Sequence, residues 1–92
     1  FEYANCFAKE SGEKGIVGHK RVNCSKIPGA YAECCSYGME TGKSIVLQWL
    51  VDQDVPSLGH RINCLNADYL KIGIKVHPHK VWTKCAVADF TP

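Results

Sequence analysis

The sequence predicts a small α/β sandwich in which an antiparallel C-terminal hairpin packs on a helix and disulfides cross-link the whole. Three observations predict it. Leu70, Ile72, Ile74 and Val76 alternate with Lys71, Gly73 and Lys75, the period of a strand with one face buried. Ile45, Val46, Trp49 and Leu50, joined by Leu47 and Val51, form the apolar face of a helix. Six cysteines occur in only 92 residues. A chain this short buries only about 60% of its unfolded surface, so covalent staples are expected.

Taken in order, Phe1, Ala4, Phe7 and Ala8 have helical spacing, so Phe1–Lys9 reads as helix. Glu10–Gly18, rich in Gly, Glu and Lys, reads as a solvated loop. Pro28-Gly29 makes a turn, and Asn23-Cys24-Ser25 matches the glycosylation sequon. Thr41 is a candidate N-cap for the helix that reaches Val51, and Asp52–Pro56 ends it, because residues preceding proline avoid the α region. A short helical turn from Ser57 carries Gly59-His60-Arg61, followed by a connection with Asn63 and Asn66. The hairpin is expected as a strand over Tyr69–Val76, a turn at His77-Pro78-His79-Lys80, and a strand over Val81–Phe90. Trp49, Tyr69 and Trp82 read as core or half-core. A hairpin alone is marginally stable, so a larger sheet or a second copy of the chain is expected to complete it.

Composition narrows the function classes. Residues 1–92 make a single domain. The formal charge of +2 is scattered, and its one cluster, His19-Lys20-Arg21, reads as a solvated loop rather than a nucleic-acid contact. No apolar run is long enough to span a membrane. The cysteines lack any C-x-x-C pair, which favours disulfides, up to three of them, over a cysteine metal site. Gly38–Ser44 falls one residue short of a phosphate-binding loop, and no G-x-S-x-G elbow singles out a nucleophilic serine. His77-Pro78-His79 reads as a hairpin tip.

Gly59-His60-Arg61-x-Asn63-x-Leu65-Asn66, followed by Ile72-Gly73-Ile74, resembles the second histidine motif of the CAP superfamily (cysteine-rich secretory, antigen, pathogenesis-related), in its simpler bacterial-type branch. Ala32-Glu33 with Ser36-Tyr37-Gly38 is similar to that family's A-E-N-x-S-Y-G segment, with Cys34 in place of the Asn. Gly18-His19 is similar to its first Gly-His step, and Asp52 stands where a W-x-x-E step beginning at Trp49 would place its acid. The resemblance implies an α-β-α sandwich of CAP type, here a partial domain lacking its first helix. It further implies a secreted, non-enzymatic binding or defence protein with a central cleft lined by His19, Glu33, Asp52 and His60. In that cleft His19 and His60 would hold a divalent metal, zinc or magnesium, and the neighbouring carboxylates would raise the histidine pKa values. The partners implied are a small apolar ligand such as a lipid or sterol, an extracellular protein or a membrane target, and a second copy of the chain. Two alternatives stay open: a metal-dependent hydrolase using the same cleft, and a disulfide-stapled toxin or inhibitor.

Overall fold

The C-terminal hairpin forms and gains a third strand, but the alternating side chains Leu70, Ile72, Ile74 and Val76 face solvent instead of the core, while Gly73 and His79 of the same strand are buried. The computed structural model describes residues 1–92 and contains, in order, helix α1 (Glu2–Lys14), strand β1 (Ala32–Tyr37), helices α2 (Gly42–Val51) and α3 (Gly59–Leu65), and strands β2 (Lys71–His79) and β3 (Thr83–Thr91). The sheet is antiparallel in the order β1-β3-β2, with Glu33 opposite Asp89 and Cys35 opposite Val87. No helix is long and apolar enough to cross a membrane.

Side chains leave successive residues of a strand on opposite faces, so β1 and β3 feed two separate cores. On one face Cys34, Ala86, Ala88 and Phe90 pack against Ile45 and Trp49 of α2, with Cys64 of α3 at the margin. On the other, Cys35 and Val87 pack against Ala4, Phe7 and Ala8 of α1. Helices therefore cover both faces of the sheet. Coverage is incomplete over β2, where Ile72, Ile74 and Val76 stay exposed.

Helix α1 extends five residues beyond Lys9 into the stretch expected to be a solvated loop. Glu10, Ser11 and Gly12 are buried there. Burial of Glu10 is satisfied because its carboxylate accepts the Val22 and Asn23 amides, each at 2.7 Å. Gly12 is required by close approach: a Cβ there would overlap the Pro78 carbonyl of β2. The helix ends at Gly15, in the left-handed region at φ 71°, which donates its N–H to the Ser11 carbonyl.

Helix α2 starts as expected at Thr41, in a capping box with Ser44. Its Trp49 is buried and donates its indole N–H to the Cys35 carbonyl at 3.0 Å, fixing α2 to β1. The connection to α3 is tight: Asp52, Asp54 and Leu58 all have positive φ, at 49°, 64° and 52°.

The hairpin turn falls later than the sequence suggests. β2 runs through Pro78, which an edge strand tolerates, and ends at His79. The His79 ring builds the turn itself. Its Nδ1 accepts the Val81 and Trp82 amides at 3.1 and 3.0 Å, and its Nε2–H donates to the Ile16 carbonyl at 2.9 Å. This displaces Val81 and Trp82 from the expected strand into the turn, and leaves Trp82 52% exposed rather than in the core.

One disulfide forms, Cys6–Cys24, where up to three were expected. Cys34, Cys35, Cys64 and Cys85 are free thiols. Cys34 and Cys35 face opposite sides of the sheet, so they belong to different cores. Replacing a helical glycine by alanine ordinarily stabilises by about 1 kcal/mol. Gly12→Ala should instead destabilise by roughly 2 kcal/mol, through overlap with the β2 backbone. A urea titration showing equal or greater stability would refute the close packing of α1 on β2.

Candidate functional site

The segment after α1 carries His19 and Arg21, and three anchors hold it down. The Cys6–Cys24 bridge ties it to α1, and the Glu10 carboxylate binds the amides of Val22 and Asn23. Tyr37 fixes its near end by accepting the Gly18 amide at 2.9 Å. Thus fastened, His19 donates from Nδ1 to Glu33 Oε2 at 2.8 Å, and Arg21 Nη2 donates to Glu33 Oε1 at 2.8 Å and Asp89 Oδ2 at 3.3 Å. The Arg21 guanidinium also lies over the Phe7 ring, 4.4 Å from its centroid. Cys35 Sγ, two residues along β1 from Glu33, is 3.6 Å from His19 Nδ1.

Glu33 and Asp89 face each other across the strand pair, so two carboxylates share one buried cation. Like charges this close resist ionising together. Burial, reinforced by the adjacent Glu33, pushes Asp89 up to about 7. Burial pushes Glu33 the same way, but hydrogen bonds from His19, Asp89 and Arg21 outweigh it and hold Glu33 below its ordinary value. The shorter Arg21 bond to Glu33 fits that division: below about pH 7 Glu33 carries the charge and Asp89 holds the proton. The hydrogen bond to Glu33 raises His19 above its usual value, with burial opposing. Arg21 Nε and Nη1 and Asp89 Oδ1 are buried without partners.

The second pair lies on the α2/α3 side. Asp52, at the C-cap of α2, accepts the His60 Nδ1 proton at Oδ1 (2.9 Å) and the amides of His60 and Arg61 at Oδ2 (2.9 and 3.3 Å). One carboxylate thus caps α3 and orients the imidazole. Burial acts upward on Asp52, yet the His60 ring and the two amides keep it below the ordinary carboxylate value. Beside this pair opens a cavity of about 510 Å³. Met39, Leu47, Trp49, Val51, Val55 and the edge of Cys35 supply its apolar walls, and Ser44, Gln48, Asp52, Gln53 and His60 its polar ones.

The four residues singled out in the sequence are therefore brought together two and two: His19 with Glu33, and His60 with Asp52. Strand β1 stands between the pairs. Asn63 of α3 donates to the Glu33 carbonyl at 3.4 Å, and Cys35 touches His19 while bordering the cavity of His60. The residues able to share one metal ion are His19, Glu33 and Cys35, whose ligand atoms all lie within 4.8 Å of one another. His60 is outside this group. An imidazole, a carboxylate and a thiol suit zinc; magnesium prefers an all-oxygen shell.

Arg21, Asp89 and Cys35 escape a reading by sequence alone. Arg21 looked like part of a solvated basic cluster, yet its side chain is 2% exposed. A signal for it does exist in Asp89, an acid inside the apolar run Ala86-Val87-Ala88-Asp89-Phe90, since a buried acid demands a partner.

The shifts fix the sign of the pH dependence. The folded state binds a proton at Asp89 and at His19 more tightly than the unfolded chain, so stability falls as pH rises through each folded value. Glu33, depressed, loses its contribution only at acid pH. Tm should therefore decline as pH rises from about 5 through about 7, where Asp89 titrates, and Asp89→Asn should flatten that decline. Scanning calorimetry showing a flat or rising wild-type profile would contradict the proton assignment. Compared with family models, with curated proteins and with solved structures, the chain matches none.

Proposed function

We propose that this chain is a secreted, CAP-like binding module of the α-β-α sandwich type, rather than an enzyme. Its second histidine pair guards a site for a small apolar ligand, of lipid or sterol type. Its first pair, with Cys35, can take a zinc ion. The observation that carries the reading is the pairing of His60 with Asp52 at the mouth of an apolar cavity, with His19 and Glu33 paired across β1.

The cavity volume falls in the range typical of small-molecule sites, and apolar walls with a few oriented polar groups are the usual composition of such sites. Capping by Asp52 leaves the His60 ring with one nitrogen free of the pair, available to a ligand hydroxyl or carboxylate. A zinc ion held by His19, Glu33 and Cys35 would leave a coordination position for an outside group. The Cys6–Cys24 bridge supports an oxidising, extracellular setting, in which defence or antimicrobial roles belong. An extracellular protein or membrane surface, or a second copy packed on the exposed apolar residues of β2, completes the partners this reading carries.

Two titrations separate the halves of the proposal. Zinc binding by calorimetry should weaken about tenfold or more in His19→Ala and persist in His60→Ala. Binding of a fluorescent fatty acid or sterol should weaken in Val51→Trp, which fills the cavity, and persist in His19→Ala. Zinc heats identical in wild type and His19→Ala would remove the metal, and ligand binding unaffected by Val51→Trp would remove the cavity. Peptide hydrolysis abolished by chelation would replace the binding module with a hydrolase.

A further inference from the structure

Cys34 is completely buried on the face of β1 that meets α2 and α3. Its Sγ lies 3.8 Å from the His60 carbonyl oxygen and 3.9 Å from Asn63 Nδ2, both on α3. In an α-helix the carbonyl of residue 60 accepts from the amide of residue 64. Those two distances therefore set the Cys34 sulfur against the helical turn that carries Cys64. The Cys64 side chain packs on the same core cluster as Cys34. Both are free, and Cys64 is partly exposed.

The other two thiols are committed elsewhere. Cys35 faces the opposite side of the sheet, beside His19, and Cys85 donates to the Ala8 carbonyl of α1 at 3.4 Å. Cys34 and Cys64 thus form a pair with no competitor.

We propose that Cys34 and Cys64 are an oxidisable pair that closes into a second disulfide, bolting α3 to β1, by exchange with a low-molecular-weight disulfide such as oxidised glutathione. Cys64 is the accessible sulfur and reacts first. Its thiolate attacks one sulfur of the small disulfide, forming a mixed disulfide and releasing one small thiolate. The Cys34 thiolate then attacks the Cys64 sulfur, forming the Cys34–Cys64 bond and expelling the second small thiolate. Two protons pass from the protein thiols to the two released thiols, and the protein gives two electrons to the small disulfide.

The bond would enclose α2, the cavity and the strained α2–α3 connection in one covalent loop. Because α3 carries His60, oxidation would hold that ring in fixed relation to the sheet. The pair is independent of what the cavity binds.

The test is to equilibrate the protein in glutathione buffers of graded redox ratio and map its cysteines by mass spectrometry. Expected are a Cys34–Cys64 linked peptide, loss of two titratable thiols, slower amide exchange in α3, and a Tm higher by roughly 10 °C or more. Cys64→Ser should lose all four effects while keeping Cys6–Cys24, and Cys85→Ser should keep the cross-link. Cys64 recovered only as a glutathione adduct, Cys34 bridged to another cysteine, or a linked form no more heat-stable than the reduced one would overturn the proposal. Mapping of the wild-type chain does not depend on either variant folding.

Discussion

Strand β1 is the constraint on which the rest hangs. It is six residues long, paired with β3 alone in the sheet, and its pleat assigns every side chain to one of two chambers. Glu33 and Cys35 go to the side of α1 and the His19 segment; Cys34 and Ser36 go to the side of α2 and α3. A slip of one residue would exchange the two sets. Glu33 would then lose both His19 and Arg21, and Cys34 would leave α3. The Trp49 indole bond to the Cys35 carbonyl and the Ser36 bond to Gln48 hold the register from the α2 side.

The charge network on the α1 side is costly to bury, and the fold offsets that cost by arrangement. A guanidinium between two carboxylates, with one carboxylate protonated, leaves charge nearly balanced in a region from which water is largely excluded. Replacing either acid by an apolar residue would leave Arg21 with fewer partners for donors that are already incompletely satisfied. Histidine 19 sits at the outer margin of this network, its side chain 57% exposed, and so is the member open to solvent and to ligands.

How much of this was legible in the sequence differs by element. Regular periodicity exposed the hairpin and α2, and capping chemistry located Thr41. Strand β1 has no such pattern, since Cys34-Cys35-Ser36 is buried on both faces and its strand character comes from pairing with β3. The C-terminal half of α1 was hidden because Glu10, Ser11 and Gly12 look like loop residues and are buried for reasons that lie elsewhere in the chain. His79 likewise has the sequence context of a tip residue, although its ring organises the turn. Among the site residues, the motif resemblance led to His19, Glu33, Asp52 and His60. It could not indicate that an arginine and an acid from the far end of the chain would join Glu33.

The link between α2 and α3 has a consequence for how the molecule comes apart. Within seven residues, Asp52, Asp54 and Leu58 occupy backbone conformations that disfavour side chains bearing a Cβ. The Asp52 carboxylate, clasping the first turn of α3, holds them there together with the backbone bonds from Val55 to Asp52 and from Leu58 to Val55. Release of that clasp frees the link, the short helix and the imidazole in a single step. Thermal breathing of the molecule should therefore begin here, as one small cooperative unit, well before the sheet itself gives way.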